Sequence, residues 1–245
     1  MDRMPRDDLE HSRRRILAAW AVHLLTASGA LWALLALNAL WHDDWREVLF
    51  WLFIALVVDA VDGTLARAMQ VSDYAPRVDG ASLDLVVDYL NYVLVPAMLI
   101  WQSQLLPESV ALPLSALILI SSLYVFVRRD MKTTDGYFRG FPALWNVVAA
   151  YLLLIDLHEW VRACVVTLLA LASFAPIFVV HPFRTRDFPL AARSLAIGWG
   201  LFTFALLLPN LADTARRLTL AGSIGCLTGL ALMGVRRSFR PPPVN

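Results

Sequence analysis

Four aspartates interrupt two of the most apolar stretches of this 245-residue sequence. VLFWLFIALVVDAVDGTLARAM carries Asp59 and Asp62, three residues apart, and VDGASLDLVVDYLNYVLV carries Asp84 and Asp88, four apart. On a helix either spacing puts both carboxyls on one face. Ionisable side chains in runs this apolar are costly enough to mark function. At ~1.5 Å per residue Asp59 lies roughly 12 Å from Arg67, which marks the membrane edge, and the next antiparallel helix brings Asp84 and Asp88 to similar depth. Four carboxylates converging at low dielectric repel one another unless cations neutralise them. Oxygen donors without His or Cys nearby in sequence suit two hard divalent ions, Mg²⁺ or Mn²⁺. A lone acid here would be read as well by an arginine partner or a proton path. Four at these spacings favour metal.

Small residues and one cation flank the acids. Gly63 follows Asp62, Gly80 lies one turn before Asp84 on the face of Asp84 and Asp88, and Ala66 precedes Arg67. Missing side chains let a ligand lie against the backbone, and a planar guanidinium suits phosphate. Together with metal-binding carboxylates, these features describe a site for a nucleotide pyrophosphate. No Ser–His or Cys–His pair is evident, so a covalent intermediate is not expected. Lys132, Arg139, Arg184 and Arg186 fall in two further cytoplasmic loops, where Lys132 and Arg139 are candidates for a lipid phosphate. Topology alone would also place cations there. Tyr137, Phe138, Trp145 and Asn146 are candidate substrate contacts, and the five histidines lack metal-ligand spacing.

The elements that must position these groups are membrane helices. Hydrophobic residues make up 59% of the chain and charged ones 17%, with a mean hydropathy of +0.61. That excludes a disordered chain and disfavours an ordinary soluble domain. A net charge of +1 argues against nucleic acid. The two cysteines, Cys164 and Cys226, form no CxxC site and read as small buried hydrophobes. A span needs about 20 apolar residues, and eight candidates are found: Ile16–Trp41, Val48–Ala66, Ser82–Trp101, Ser109–Val127, Phe141–Leu157, Trp160–Val180, Leu190–Leu208 and Leu218–Val235. The fifth and sixth, split only at His158 and Glu159, should form a tight hairpin. Of the 21 Lys and Arg residues, 17 fall on one side of this arrangement, including Arg3 and Arg240 near the chain ends. The positive-inside rule then makes both termini cytoplasmic, as an even number of spans requires. The expected organisation is a cytoplasmic segment 1–15, an all-α membrane catalytic domain 16–235 and a cytoplasmic tail 236–245. In the last span Ala221, Gly225 and Gly229 form a small-residue stripe for close helix packing.

The pattern Asp59-x2-Asp62-Gly63-x2-Ala66-Arg67 … Gly80-x3-Asp84-x3-Asp88 resembles the signature of the CDP-alcohol phosphotransferases. The 12-residue gap Ala68–Asp79, the segment MKTTDGYFRGFPALWN (Met131–Asn146) and FVVHPFR (Phe178–Arg184) resemble its choline-using bacterial branch. The resemblance implies a helical bundle in the bacterial inner membrane with its site facing the cytoplasm. It further implies an enzyme that joins choline to CDP-diacylglycerol, releasing CMP, with Mn²⁺ as preferred metal and dimers as in the wider family. By the same resemblance Asp59, Asp62, Asp84 and Asp88 hold metal, and Asp88 is also the base. Asp59, Gly63, Ala66, Arg67 and Gly80 then contact the CDP moiety. Choline has no N–H to donate, so aromatic faces must hold it; Tyr92, Trp145 and Tyr137 are the candidates, with Tyr92 closer than Tyr89 to the face of Asp88.

Other acceptors (serine, glycerol phosphate or inositol phosphate) are alternatives within the same chemistry. A cation-coupled transporter is the alternative outside it. Against a transporter, no inverted repeat is evident, and the acids lie near one membrane face instead of the midplane.

Overall fold

The computed structural model describes residues 6–239. Arg3 and Arg240, counted above towards the cytoplasmic side, lie outside the described residues. Six helical stretches are long and apolar enough to cross a membrane: Arg13–Trp41, Trp45–Ala68, Gly80–Gln102, Glu108–Val127, Pro189–Leu207 and Asp213–Ser238. Large apolar side chains such as Leu24, Leu112, Ile120, Leu168 and Leu201 point outward. Outward apolar belts belong in lipid, where helices satisfy their own backbone groups. The protein is an all-α, multi-pass membrane protein.

The chain divides into two compact units, one ending at Pro96 and the other starting at Ala97. In the first unit, α1 (Arg6–Ala27) and α2 (Gly29–Trp41) form one stretch broken at Ser28, whose hydroxyl donates back to the Leu25 carbonyl at 2.6 Å. Helix α3 (Trp45–Ala68) starts at Asp44, whose side chain accepts the Glu47 amide at 2.9 Å, satisfying a donor that a helix start leaves open. It ends where Gln70 turns left-handed at φ 52°. The short α4 (Val71–Tyr74) then tucks Val71 and Ala75 against Ala19 and Val22 of α1, with Ala66 packed on the same cluster. Helix α5 (Gly80–Tyr89) is capped by Asp79, which accepts the Ala81 amide at 3.1 Å and the Ser82 hydroxyl at 2.6 Å. These bonds, Ser82 foremost, hold the Asp79 carboxyl below its ordinary range. A π turn, Leu90–Leu94, joins α5 to α6 (Val95–Gln102).

Gly29 decides how closely α5 approaches α2. A Cβ there would overlap the Val87 side chain. Without one, the Asn91 amide reaches the Gly29 carbonyl at 2.9 Å while also bonding the Val87 carbonyl at 3.0 Å.

In the second unit, α7 (Glu108–Val127), α8 (Trp145–Leu154) and α9 (Glu159–Ala172) are followed by the hairpin of α10 (Pro189–Leu207) and α11 (Asp213–Ser238). The fifth and sixth expected spans come out shorter than expected. Helix α8 has 10 residues and α9 has 14, against the ~20 that a full crossing takes. The break between them does fall at His158, whose Nδ1 accepts the Trp160 amide. The end of the sixth expected span, Phe178–Val180 (β2), instead pairs antiparallel with Tyr137–Arg139 (β1), which lies just ahead of the fifth. Gly140, at φ 84°, and Ala143, at φ 56°, turn the chain from β1 into α8, which helical backbone could not do. Of the small-residue stripe, Gly229 packs on Leu195 of α10, whereas Gly225 faces open space. Cys164 is exposed, contrary to the buried role expected of it.

Candidate active site

The first unit brings the acids together. Asp59 comes from α3, Asp84 and Asp88 from α5, and one oxygen from each lies within 4.8 Å of the other two. Asp62 is buried on the wall of the same cleft, but its carboxyl does not belong to this group of three. Thr26, Gly29, Ala55, Val58, Val87, Asn91 and Tyr92 complete the wall. The i, i+4 spacing on α5 and the antiparallel run of α3 are what close the three carboxyls on one point. A divalent ion with ~2.1 Å bonds holds opposite ligands ~4.2 Å apart, so oxygens at this spacing close on one with a small shift. The donor set, all oxygen, fits a hard cation.

The remaining motif residues, Gly63, Ala66, Arg67 and Gly80, lie on the same two helices but do not line this cleft. The Arg67 guanidinium lies 3.6 Å from where a Gly63 Cβ would stand, and its Nη2 donates to Thr64 at 3.2 Å. A side chain at Gly63 would only touch this arginine, which is exposed. A Cβ at Gly80 would lie 3.2 Å from His23 Cε1. His23 is buried, and its Nε2 has no hydrogen-bond partner among the described residues. Nothing in local spacing links His23 to Gly80, 57 residues on. Asn91 likewise belongs to no motif spacing, although a buried amide inside a membrane helix is itself a signal. Its Oδ1 has no partner among the described residues.

The aromatic candidates are placed differently. Tyr92 is buried and donates its hydroxyl to Asp59 Oδ2 at 2.7 Å. Trp145 is fully enclosed; its indole N–H donates to Ser122 at 2.9 Å and its ring meets Phe141 edge-on at 5.1 Å. Tyr137 sits in the core of the ribbon with Val180 and Ala192 and donates to Asp187 at 3.3 Å. Phe138 stacks on His181 at 5.1 Å, and the Lys132 ammonium lies 5.8 Å from the centre of its ring. Lys132 opens on a cleft with Tyr137, His181, Arg184 and Arg186. Arg139, the other candidate for a lipid phosphate, is instead ion-paired to Asp130 at 3.1 Å, which also holds Arg128 at 2.8 Å. Arg128 keeps the Asp130 carboxyl below its usual value. The two segments that carry the branch resemblance, Met131–Asn146 and Phe178–Arg184, are the partners of the ribbon.

A phosphatidylcholine synthase of Pseudomonas aeruginosa is 45% identical to this chain over 195 residues, 80% of the chain and 82% of that protein. Those of Legionella pneumophila and Mesorhizobium japonicum are 34% and 37% identical, covering 91% and 76% of this chain and 90% and 71% of their own lengths. The chain belongs to the phosphatidylcholine synthase family. It is an enzyme, a membrane transferase, and the aspartate cluster is the metal-type site expected of a metal-dependent phosphotransferase. No family model matches the sequence. These relatives do not favour the transporter reading or the other acceptors.

Proposed function

We propose that this enzyme condenses choline with CDP-diacylglycerol, giving phosphatidylcholine and CMP by direct transfer. The observation that carries the reading is the convergence of Asp59, Asp84 and Asp88 on one cleft between membrane helices, with Asp62 on its wall. Two divalent cations held by these four acids, Mn²⁺ preferred, would neutralise the pyrophosphate and make CMP a better leaving group. Gly63, Ala66 and Gly80 flank the cytidine, Asp59 also faces the CDP moiety, and Arg67 grips phosphate with its planar donors. Asp88 accepts the proton of the choline hydroxyl as that oxygen attacks the phosphorus bearing diacylglycerol. The acyl chains stay in lipid, which is why the site sits between membrane helices.

Tyr92 lines the carboxylate cleft, so its ring is the first candidate face for the quaternary ammonium; Tyr137 and Trp145 are the others. Of the two phosphate candidates, the open cleft at Lys132 and the pairing of Arg139 with Asp130 favour Lys132. The positive-inside bias supports a site facing the cytoplasm from the bacterial inner membrane, with cytoplasmic termini. Homodimers are inferred from the resemblance alone. The test is the purified protein with labelled choline, CDP-diacylglycerol and Mn²⁺. Labelled phosphatidylcholine with equimolar CMP is expected. A preference for serine over choline, or activity indifferent to chelation of divalent ions, would overturn the reading.

A further inference from the structure

The residue after Asn91 does more than present a ring. We infer that the Tyr92 hydroxyl is a positioning group for the metal centre: it fixes the Asp59 carboxylate in the orientation in which it meets a cation. The inference rests on the metal-dependent reading above. Tyr92 is 6% exposed, and a buried phenol needs a partner for its proton. It donates to Asp59 Oδ2 at 2.7 Å, across from the π turn after α5 to α3, over 33 residues of sequence. A carboxylate offers about four acceptor positions on two oxygens. One bond to Oδ2 takes a single one of these positions while restraining rotation about the Cβ–Cγ bond.

The backbone is built to aim that hydroxyl. Tyr92 lies inside the π turn Leu90–Leu94, and such turns insert an extra residue that shifts the helix face beyond them. The turn is pinned on both sides by Asn91, through the Gly29 carbonyl of α2 and the Val87 carbonyl of α5. Gly29 in turn owes its place to the close approach of Val87. Three elements thus hold one hydroxyl against one metal ligand. Partners that orient metal ligands typically contribute 10–100-fold to metal affinity.

The experiment is Mn²⁺ binding to the full-length protein in detergent, followed by calorimetry and by loss of the free-ion electron paramagnetic resonance signal. Tyr92→Phe keeps the ring and removes only the hydroxyl. It should bind Mn²⁺ 10–100-fold more weakly than wild type, melt within a few degrees of wild type in chelator, and regain most of its kcat at high Mn²⁺ with the choline KM unchanged. Rescue by excess metal is an outcome that a purely structural role does not give. Wild-type binding together with equal binding by Tyr92→Phe would overturn this inference while leaving the proposed function standing. A wild type that binds no Mn²⁺ or Mg²⁺ would overturn the metal reading beneath it, and this inference with it. Should the Phe variant not fold, Tyr92→Leu, which also removes the ring, is read on Mn²⁺ affinity alone, with the same 10–100-fold weakening expected and wild-type affinity overturning the inference.

Discussion

Removing a metal ligand should make the metal-free enzyme more stable. Asp59, Asp84 and Asp88 present oxygens within 4.8 Å of one another. At that separation and an effective dielectric of about 20, each ionised pair costs about 3.5 kcal/mol. Asp84→Asn keeps the side-chain shape and relieves two of the three pairs. Screening, water and proton uptake cut the gain to about 1–3 kcal/mol. For a chain of this size one kcal/mol corresponds to about 2–4 °C, so the variant should melt roughly 2–12 °C above wild type in chelator. With Mn²⁺ at a hundred times its dissociation constant, wild type should gain about 2.7 kcal/mol from ligand linkage. The variant should gain little, so Mn²⁺ closes or reverses the gap between the two melting curves. The assay is a thermal melt in detergent for both proteins, with chelator and with Mn²⁺. An Asn variant that melts below metal-free wild type, yet still rises by the wild-type amount with Mn²⁺, would refute the reasoning. The acids would then be supporting one another, and the cation would sit elsewhere.

Asp88→Asn should slow turnover by ~10²–10⁴-fold while retaining CDP-diacylglycerol binding, measured by ligand retention on the immobilised protein; equal loss of both would make Asp88 a ligand before a base. Arg237 and Asp135 form a pair at 2.5 Å in which the arginine is 7% and the aspartate 25% exposed. Asp135→Asn should therefore cost about 1–3 kcal/mol by thermal melt, less than a fully buried pair would. Burial pushes the Asp135 carboxyl up, but Thr133 and Arg237 outweigh it and hold it below its ordinary value. Its contribution is complete above the unfolded pKa near ~4 and is lost as pH falls through the lower folded value, so the gap between wild type and Asp135→Asn should close in acid. Trp145→Ala, at a side chain with no exposed surface, should lower stability by about 3–5 kcal/mol in the same melts. A selective five- to thirtyfold rise in choline KM at unchanged melting temperature would make Trp145 a choline contact instead.

The residue order alone determined the class of the protein and the chemistry of its site. Apolar runs of about 20 residues can satisfy their backbone in lipid only as helices, so composition and length reveal the spans without any tertiary information. The 3.6-residue period likewise puts Asp84 and Asp88 on one face, and an antiparallel hairpin of helices brings Asp59 to them. Tertiary structure decided whatever depends on partners distant in sequence. Gly80 faces His23, Gly29 admits Val87, and Tyr92 donates to Asp59, contacts that no local spacing encodes. The same holds for the two short helices. Phe141–Leu157 and Trp160–Val180 read as spans because their residues are apolar. The end of the second pairs as a strand, Phe178–Val180, with Tyr137–Arg139 just ahead of the first, and hydropathy is blind to that pairing. Tyr92 shows the difference in one residue. As sequence it is an aromatic face near Asp88; in the folded chain a π turn and the anchor of Asn91 make its hydroxyl the holder of a carboxylate. Periodicity reports which face a residue is on, while only packing selects the atom it meets.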